Sequence, residues 1–511
     1  MAQCSARPGE ARANAVRVEL SALSVLLPPA RSVADSTPPS RDRVIDAVRG
    51  LSLVVVVLGH LIMAMAFWPE DGRPLMGNLM TAYPTLQYLT WVLQVMPLFF
   101  AFGGAASVIA WRRAHSGEVL YSAWFWGRVR RLLRPVLVYF AAMALLGVVI
   151  SAVVGDAATP LLAIVAAPLW FLGVYLLMLL CLPAMWRLHE RNRAVAFVVL
   201  IPGAVVVSTG ITVLGWPTWV GLLNYLLVWL TIQQLGFFWG ERTRRRTWAV
   251  VAAAAFAANL LLVYFGPWPM SLVGLPGDVL NVDSISVLGH SWAVPGWHGE
   301  FSNMSPPSVV LLLHGLTIVS LVFVARGPLD ALLHRPRLWR AVTFVMMIAM
   351  SLYLWHFLAI VLALATLHRL GLPPPTRLAA SGWPEPVDTL RYLEWFGVFL
   401  LVFAVYLGVL VLLTWGTEYR HLPVWDSPPR HRLLPAGAPD WAYVAGVVVG
   451  GAMTGFGVLV VALVGFAGFP ANNAEWGGVR FNAGVALAAM LVGTAILRAL
   501  SVQPVQPVRR G

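Results

Sequence analysis

The sequence predicts an all-α, polytopic transmembrane helix bundle of about twelve spans. Three observations carry that expectation. The 511 residues are 59% hydrophobic and only 11% charged, with mean hydropathy +0.77, whereas a soluble domain gives about a quarter of its residues to charge. Apolar runs of about 20 residues recur along the chain, each long enough to cross ~30 Å of hydrocarbon. The 35 basic residues, all arginine, fall almost entirely in alternate connections between those runs. Together these exclude a water-soluble enzyme, a disordered chain and a nucleic-acid binder. The net charge of +13 says nothing about partners until it is placed. Cys4 lies in a polar tail and Cys181 inside an apolar run, so no disulfide or zinc framework is expected, and no metal.

In chain order, residues 1–40 are rich in Ala, Arg, Ser and Pro and read as a disordered cytoplasmic tail. Their one apolar stretch, Ser21 to Leu27, is short and bounded by Pro28 and Pro29. Spans are expected at 48–67, 87–111, 135–154, 161–186, 194–214, 219–239, 247–265, 308–325, 341–367, 392–415, 441–466 and 481–498. The first ten form a core over 41–415 with a long loop at 266–307. A linker at 416–440 and two additional spans with a short tail at 441–511 follow.

The even-numbered connections hold the arginines. They carry Arg112 and Arg113, Arg128 to Arg134, Arg187 to Arg193, Arg242 to Arg246, Arg326 to Arg340, and Arg420 to Arg432. The loop 266–307 has none, but has Asp278, Asp283 and Glu300. By the positive-inside rule both termini are cytoplasmic and the long loop is outside; the plasma (inner) membrane is the expected location. The connection at 369–391, with Arg369, Arg377 and Arg391, is the exception.

An ionisable group within hydrocarbon is costly and marks function by default. His60 lies eleven residues after Arg49 in the first span, about 16 Å deeper at 1.5 Å per residue and on nearly the same helix face. That depth is near mid-membrane. A packed histidine bonded to a neighbouring helix is the plain alternative. Asp46, one turn before Arg49, is placed to pair with it. His356, midway along the ninth span in MSLYLWHFLAI, has similar depth and can share a cavity with His60. Tyr353 and Trp355 beside it read equally as cavity lining or as packing. His314 is nearer a span end and reads as structural.

Before the third span, Arg128, Arg131 and Arg134 recur every three residues. Guanidinium forks bind phosphates in bidentate fashion, so the cluster suits a polyphosphate ligand. A topology signal with lipid-headgroup contacts is the other reading. Trp170 and Phe171 look like an interfacial aromatic pair. Gly103–Gly104, Gly446–Gly450 and Gly451–Gly455 permit close helix approach. His290, His298, Asp283 and Glu300 in the long loop lack metal-ligand spacing, and a folded lid is the simpler reading.

Several segments resemble one family. The Arg49-to-His60 spacing, MPLFFAFGGAAS in the second span, RVRRLLRP before the third, and LWFL, SNMSPPS and MSLYLWHF together resemble acyltransferase family 3, over roughly residues 41–415. Two features depart from its pattern: Gly103–Gly104 replaces a second-span serine, and two spans follow the core. The resemblance implies transfer of an acyl group, typically acetyl, from cytoplasmic acyl-CoA to a hydroxyl of an envelope glycan, glycolipid or exported metabolite. Arg49, Arg128, Arg131 and Arg134 would then hold the CoA phosphates. His60, with His356, would act as general base or as a covalent acyl carrier; the residues alone leave both roles open. A polytopic secondary transporter is the competing class, although no pairing of halves is visible. Acceptor, acyl chain length and oligomeric state are not readable from the chain.

Overall fold

Asp42 starts the first long helix. Its carboxylate accepts from the backbone N–H of Val44 and Ile45 and from the indole Nε1 of Trp239 at 2.6 Å, so one side chain both caps the helix and ties it to a neighbour. The computed structural model describes residues 30–69, 74–155, 159–266, 268–273, 284–287, 290–293, 302–380, 382–418, 425, 433–435, 438–476 and 479–501. The tail through residue 29, most of the loop 266–307 with Asp283, His298 and Glu300, and most of the linker 416–440 lie outside the described residues.

Twelve helices form the bundle: α1 (Arg43–Met63), α2 (Met96–Ser116), α3 (Tyr121–Val154), α4 (Leu169–Arg191), α5 (Val195–Thr212), α6 (Leu222–Phe237), α7 (Arg245–Phe265), α8 (Val309–Val324), α9 (Pro336–Arg369), α10 (Thr389–Thr414), α11 (Asp440–Val464) and α12 (Ala483–Leu500). Among the described residues eleven of these, some together with adjoining short turns (Trp219–Gly240 for α6), are long and apolar enough to cross a membrane. The remaining one, α8, meets the short helix Arg326–Leu333 at a 62° bend, and the two pass that test together. The all-α bundle of about twelve spans is therefore what the chain forms.

Several boundaries differ from those expected: α2 starts at Met96 and α4 at Leu169 because separate short helical turns occupy the first part of those apolar runs, and two further differences have plain physical reasons. α3 begins at Tyr121, fourteen residues before the apolar run, because Arg128 to Arg134 continue the helix through Pro135; arginine is a good helix former. α1 stops at Met63 rather than near 67, and Ala64–Phe67 becomes a strand, β1, paired antiparallel with β2 (Leu75–Asn78). A short apolar run does not by itself distinguish a buried strand from a helix. Met65 and Ala66 are fully buried.

Three further hairpins have described strands: β3–β4 (Ser284–Val287, His290–Ala293), β5–β6 (Thr376–Leu378, Pro384–Pro386) and β7–β8 (Asn473–Trp476, Val479–Asn482). All four join helices at the end of the bundle opposite the arginine-rich connections. Two pack together there: Thr376 Oγ1 donates to Ala66 O at 2.8 Å, and a Cβ at Gly77 would meet the Pro384 ring at 3.0 Å.

The last two spans are docked into the bundle through glycines. On α11, Gly446 and Gly450 face α12: a Cβ on them would meet Leu500 at 2.6 Å and Gly493 O at 2.9 Å. Gly451 and Gly455 face α4, where added Cβ atoms would meet Leu180 at 2.7 Å and Leu177 at 3.0 Å. The two small-xxx-small motifs serve two different partners.

Candidate functional site

The site begins on α1. The helix is unbroken between Arg49 and His60, which keeps them on one face and about 16 Å apart along the axis. His60 falls in the last turn of α1, but that turn ends inside the bundle. α9 runs on from His356 to Arg369, about 20 Å further, and the β1–β2 hairpin, with β1 largely buried, occupies the recess.

His60 Nδ1 lies 2.9 Å from His356 Nε2. The rings are parallel within 2°, with centroids 5.1 Å apart. That separation is about the N–N distance plus two ring radii, so the imidazoles meet edge to edge in one plane, in line with the hydrogen bond. His356 Nδ1 is 2.5 Å from the carbonyl of Tyr353, one turn earlier on the same helix. A carbonyl only accepts, so His356 carries its proton on Nδ1. In the neutral pair His356 Nε2 then accepts from His60 Nδ1–H, and His60 Nε2 is left with a free lone pair. Phe357 covers both imidazoles, its ring 4.6 Å from His60 and 4.5 Å from His356.

His356 is completely buried. His60 instead lines a cavity of about 330 Å³ on the hairpin side of the pair. Asn78, Thr90 and Gln94 contribute its polar groups; Met63, Trp170 and Phe357 belong to its apolar wall. Gln94 is held by its own bonds to Leu272 O and Met304 Sδ, and its carbonyl accepts from His314 Nε2 at 2.9 Å. His314 thus supports the wall.

Toward the arginine-rich end, the Arg49 guanidinium lies 5.4 Å from the Phe99 ring centre, with its buried Nε unpartnered. The Arg128 guanidinium packs on Trp124 at 5.7 Å, within electrostatic reach of both Arg49 and Arg131. No carboxylate pairs with Arg49 or Arg128 among the described residues. Asp46, expected to pair with Arg49, bonds Arg41 instead, because Arg49 turns inward onto Phe99. The other two arginines differ in setting: Arg131 is exposed and donates to Gly127 O at 3.3 Å, whereas Arg134 is buried.

Aromatic rings bridge the two ends. Phe99 packs on Phe171 at 4.7 Å, Phe171 on Tyr353 at 5.3 Å, and Tyr353 on His356 at 5.8 Å. Phe171 is therefore interior packing, not interfacial belt, and Trp170 lines the cavity. Tyr353 also lines it, with its hydroxyl bonded to Pro168 O at 2.9 Å, while Trp355 points away onto Tyr139. Sequence reading missed Phe357 and the polar lining from Asn78, Thr90 and Gln94. Phe357 is adjacent to a flagged histidine, which was the one available signal; the lining comes from separate segments.

The fold and the buried pair define a class: a multi-pass helical membrane protein with a histidine couple opening on an internal cavity. Its residues 42–415 match the family model of the acyltransferase 3 type, described as an acyltransferase domain. The chain belongs to that family and is a membrane acyltransferase. No curated protein matches the chain, and no solved structure does.

Proposed function

We propose that the protein moves an acyl group, acetyl in the first place, from acyl-CoA to a hydroxyl held in the cavity beside His60. The arginine-rich end faces the cytoplasm, both termini lie there, and the cavity opens toward the other side of the plasma membrane; the arginine distribution supports this orientation. Arg49 and Arg128, two guanidinium groups within electrostatic reach of each other and without a carboxylate partner among the described residues, suit the phosphates of the donor. Arg131 and Arg134 flank them. An extended pantetheine arm then runs along the aromatic wall toward His60.

The observation that carries the reading is the free lone pair of His60 Nε2 beside the cavity. It takes the proton of the acceptor hydroxyl as the oxygen bonds to the acyl carbon. The carbon–sulfur bond breaks, and the thiolate leaving group receives the proton back. The products are an ester and the CoA thiol. His356 acts through His60: it fixes the tautomer and the ring orientation, and accepts the Nδ1–H bond that strengthens when His60 becomes positive.

The direct test incubates membranes containing the protein with labelled acetyl-CoA and a cell-envelope extract. Labelled ester with matching CoA release is expected. No labelled product and no CoA release with any envelope fraction would overturn the reading.

A further inference from the structure

A second cavity, of about 220 Å³, adjoins the first. Trp170 and Met304 line both, so one indole and one thioether stand between them. Much of its wall comes from Phe456, Leu459, Val460 and Leu463 of α11 and Phe481 of β8. These residues lie beyond residue 415, outside the matched family segment. On the other side the wall is the hairpin-end start of α6, Leu222 and Tyr225.

The two cavities differ in chemistry. The first has the imidazole, amide and hydroxyl groups of His60, Asn78, Gln94 and Thr90. Both are walled chiefly by hydrocarbon, but among the described residues the second has no imidazole or amide side chain in its wall. Its polar pair, the hydroxyls of Tyr225 and Ser305 at 2.9 Å, bond each other beside Met304, close to the junction. Phe456 and Leu463 are 46% and 42% exposed, so the rim reaches the apolar outer surface of the bundle. A molecule resident in the bilayer can enter there sideways.

We infer that the acceptor is amphipathic, with its hydroxyl-bearing head group in the first cavity and its hydrocarbon tail in the second. The last two spans are then part of the acceptor site. This deepens the acyl-transfer reading and rests on it. The donor's own chain is a poorer occupant: the donor comes from the side of Arg49, whereas Leu222, Ser305 and Phe481 all lie at the hairpin end. The bonds made and broken are those already described, with the head-group hydroxyl as nucleophile.

The test uses the full chain in phosphatidylcholine nanodiscs, with labelled acetyl-CoA as donor and glucose, hexyl, octyl and dodecyl glucosides as acceptor probes below micelle formation. A dodecyl glucoside bearing a terminal diazirine reads the tail position by photolysis and peptide mapping. Transfer should favour the dodecyl over the hexyl compound by about tenfold or more, since each buried methylene adds to binding. Photo-adducts should fall within 456–463 of α11 or at Phe481 of β8, in the wild type and in His60→Ala alike. Val460→Trp, which fills the second cavity, should remove the adducts and the chain-length preference, bringing the dodecyl compound down toward the rate for glucose. If that variant fails to fold, the wild-type series decides alone. Equal rates at all chain lengths, or adducts away from α11 and β8, overturn the tail pocket and leave acyl transfer standing. Adducts on α11 with no transfer to any probe or envelope fraction overturn the acyl-transfer reading instead.

Discussion

His60 Nδ1 and His356 Nε2 stand 2.9 Å apart in one plane, and the carbonyl of Tyr353 fixes the direction of the hydrogen bond between them. A neutral imidazole here takes the orienting place that a carboxylate often fills beside a catalytic histidine. A second buried charge is thereby avoided in a site walled by Phe357, Trp170 and Tyr353, where an unpaired ion would be costly.

In the proposed mechanism His356 positions His60 and does not react, so its substitutions should act on kcat more than on KM for acyl-CoA. His356→Gln, whose amide oxygen can accept the Nδ1–H bond, should keep more activity than His356→Phe, which removes the acceptor. A loss of about 10²-fold is expected for Phe, within the range for proton-transfer groups. Steady-state kinetics on both variants checks this; equal activity of the two would contradict an orienting role.

Arg49→Ala and Arg128→Ala should each raise KM for acyl-CoA by about 10- to 100-fold, the loss of one charge-assisted contact of about 1.5–3 kcal/mol. Arg131→Ala, at an exposed side chain, should change KM much less. Kinetics against acyl-CoA concentration, repeated at raised salt, separates these. Equal effects from all three would favour a diffuse electrostatic role for the segment.

Gly455→Val should loosen the docking of α11 on α4, since even a Cβ there would meet Leu177 at 3.0 Å and Gly173 O at 3.2 Å. Overpacking of this kind costs about 1–3 kcal/mol. A lower Tm in thermal unfolding is expected. Gly397→Ala, where a Cβ meets nothing within 4 Å, should not lower it and serves as control.

Asp42→Ala removes the cap of α1 and the bond to Trp239 together. A loss of about 1–2 kcal/mol is expected from the cap. Asp42→Asn retains a capping oxygen and should lose less, as read from Tm in the same detergent.

Much of this fold is written in one-dimensional signals. The apolar runs mark the spans because hydrocarbon thickness sets their length, and the arginines of the even-numbered connections mark one end because charge stays out of lipid. The glycine pairs of α11 announced close packing. What they pack against was not legible, because Gly450 and Gly455 look alike in sequence yet face α12 and α4. The same limit applies to the site. Arg49 and His60 share one helix, so their relation follows from helical geometry. The contact of His60 with His356 joins residues 296 positions apart, and equal depth suggested a shared cavity without fixing which nitrogen meets which. The β1–β2 hairpin was hidden because Ala64–Phe67 is as apolar as the helix before it. The Asp46–Arg49 expectation failed because spacing on a helix permits a pair but does not choose between Arg41, Arg49 and an inward ring such as Phe99.

The central claim is that the lone pair of His60 Nε2 drives acyl transfer. It is tested most directly by the rate of label transfer from acetyl-CoA to envelope hydroxyl groups, measured on purified wild type and on His60→Ala of matched Tm. The variant should fall by at least about 10²-fold in kcat, with KM for acetyl-CoA little changed. Transfer at the wild-type rate in His60→Ala would contradict the account.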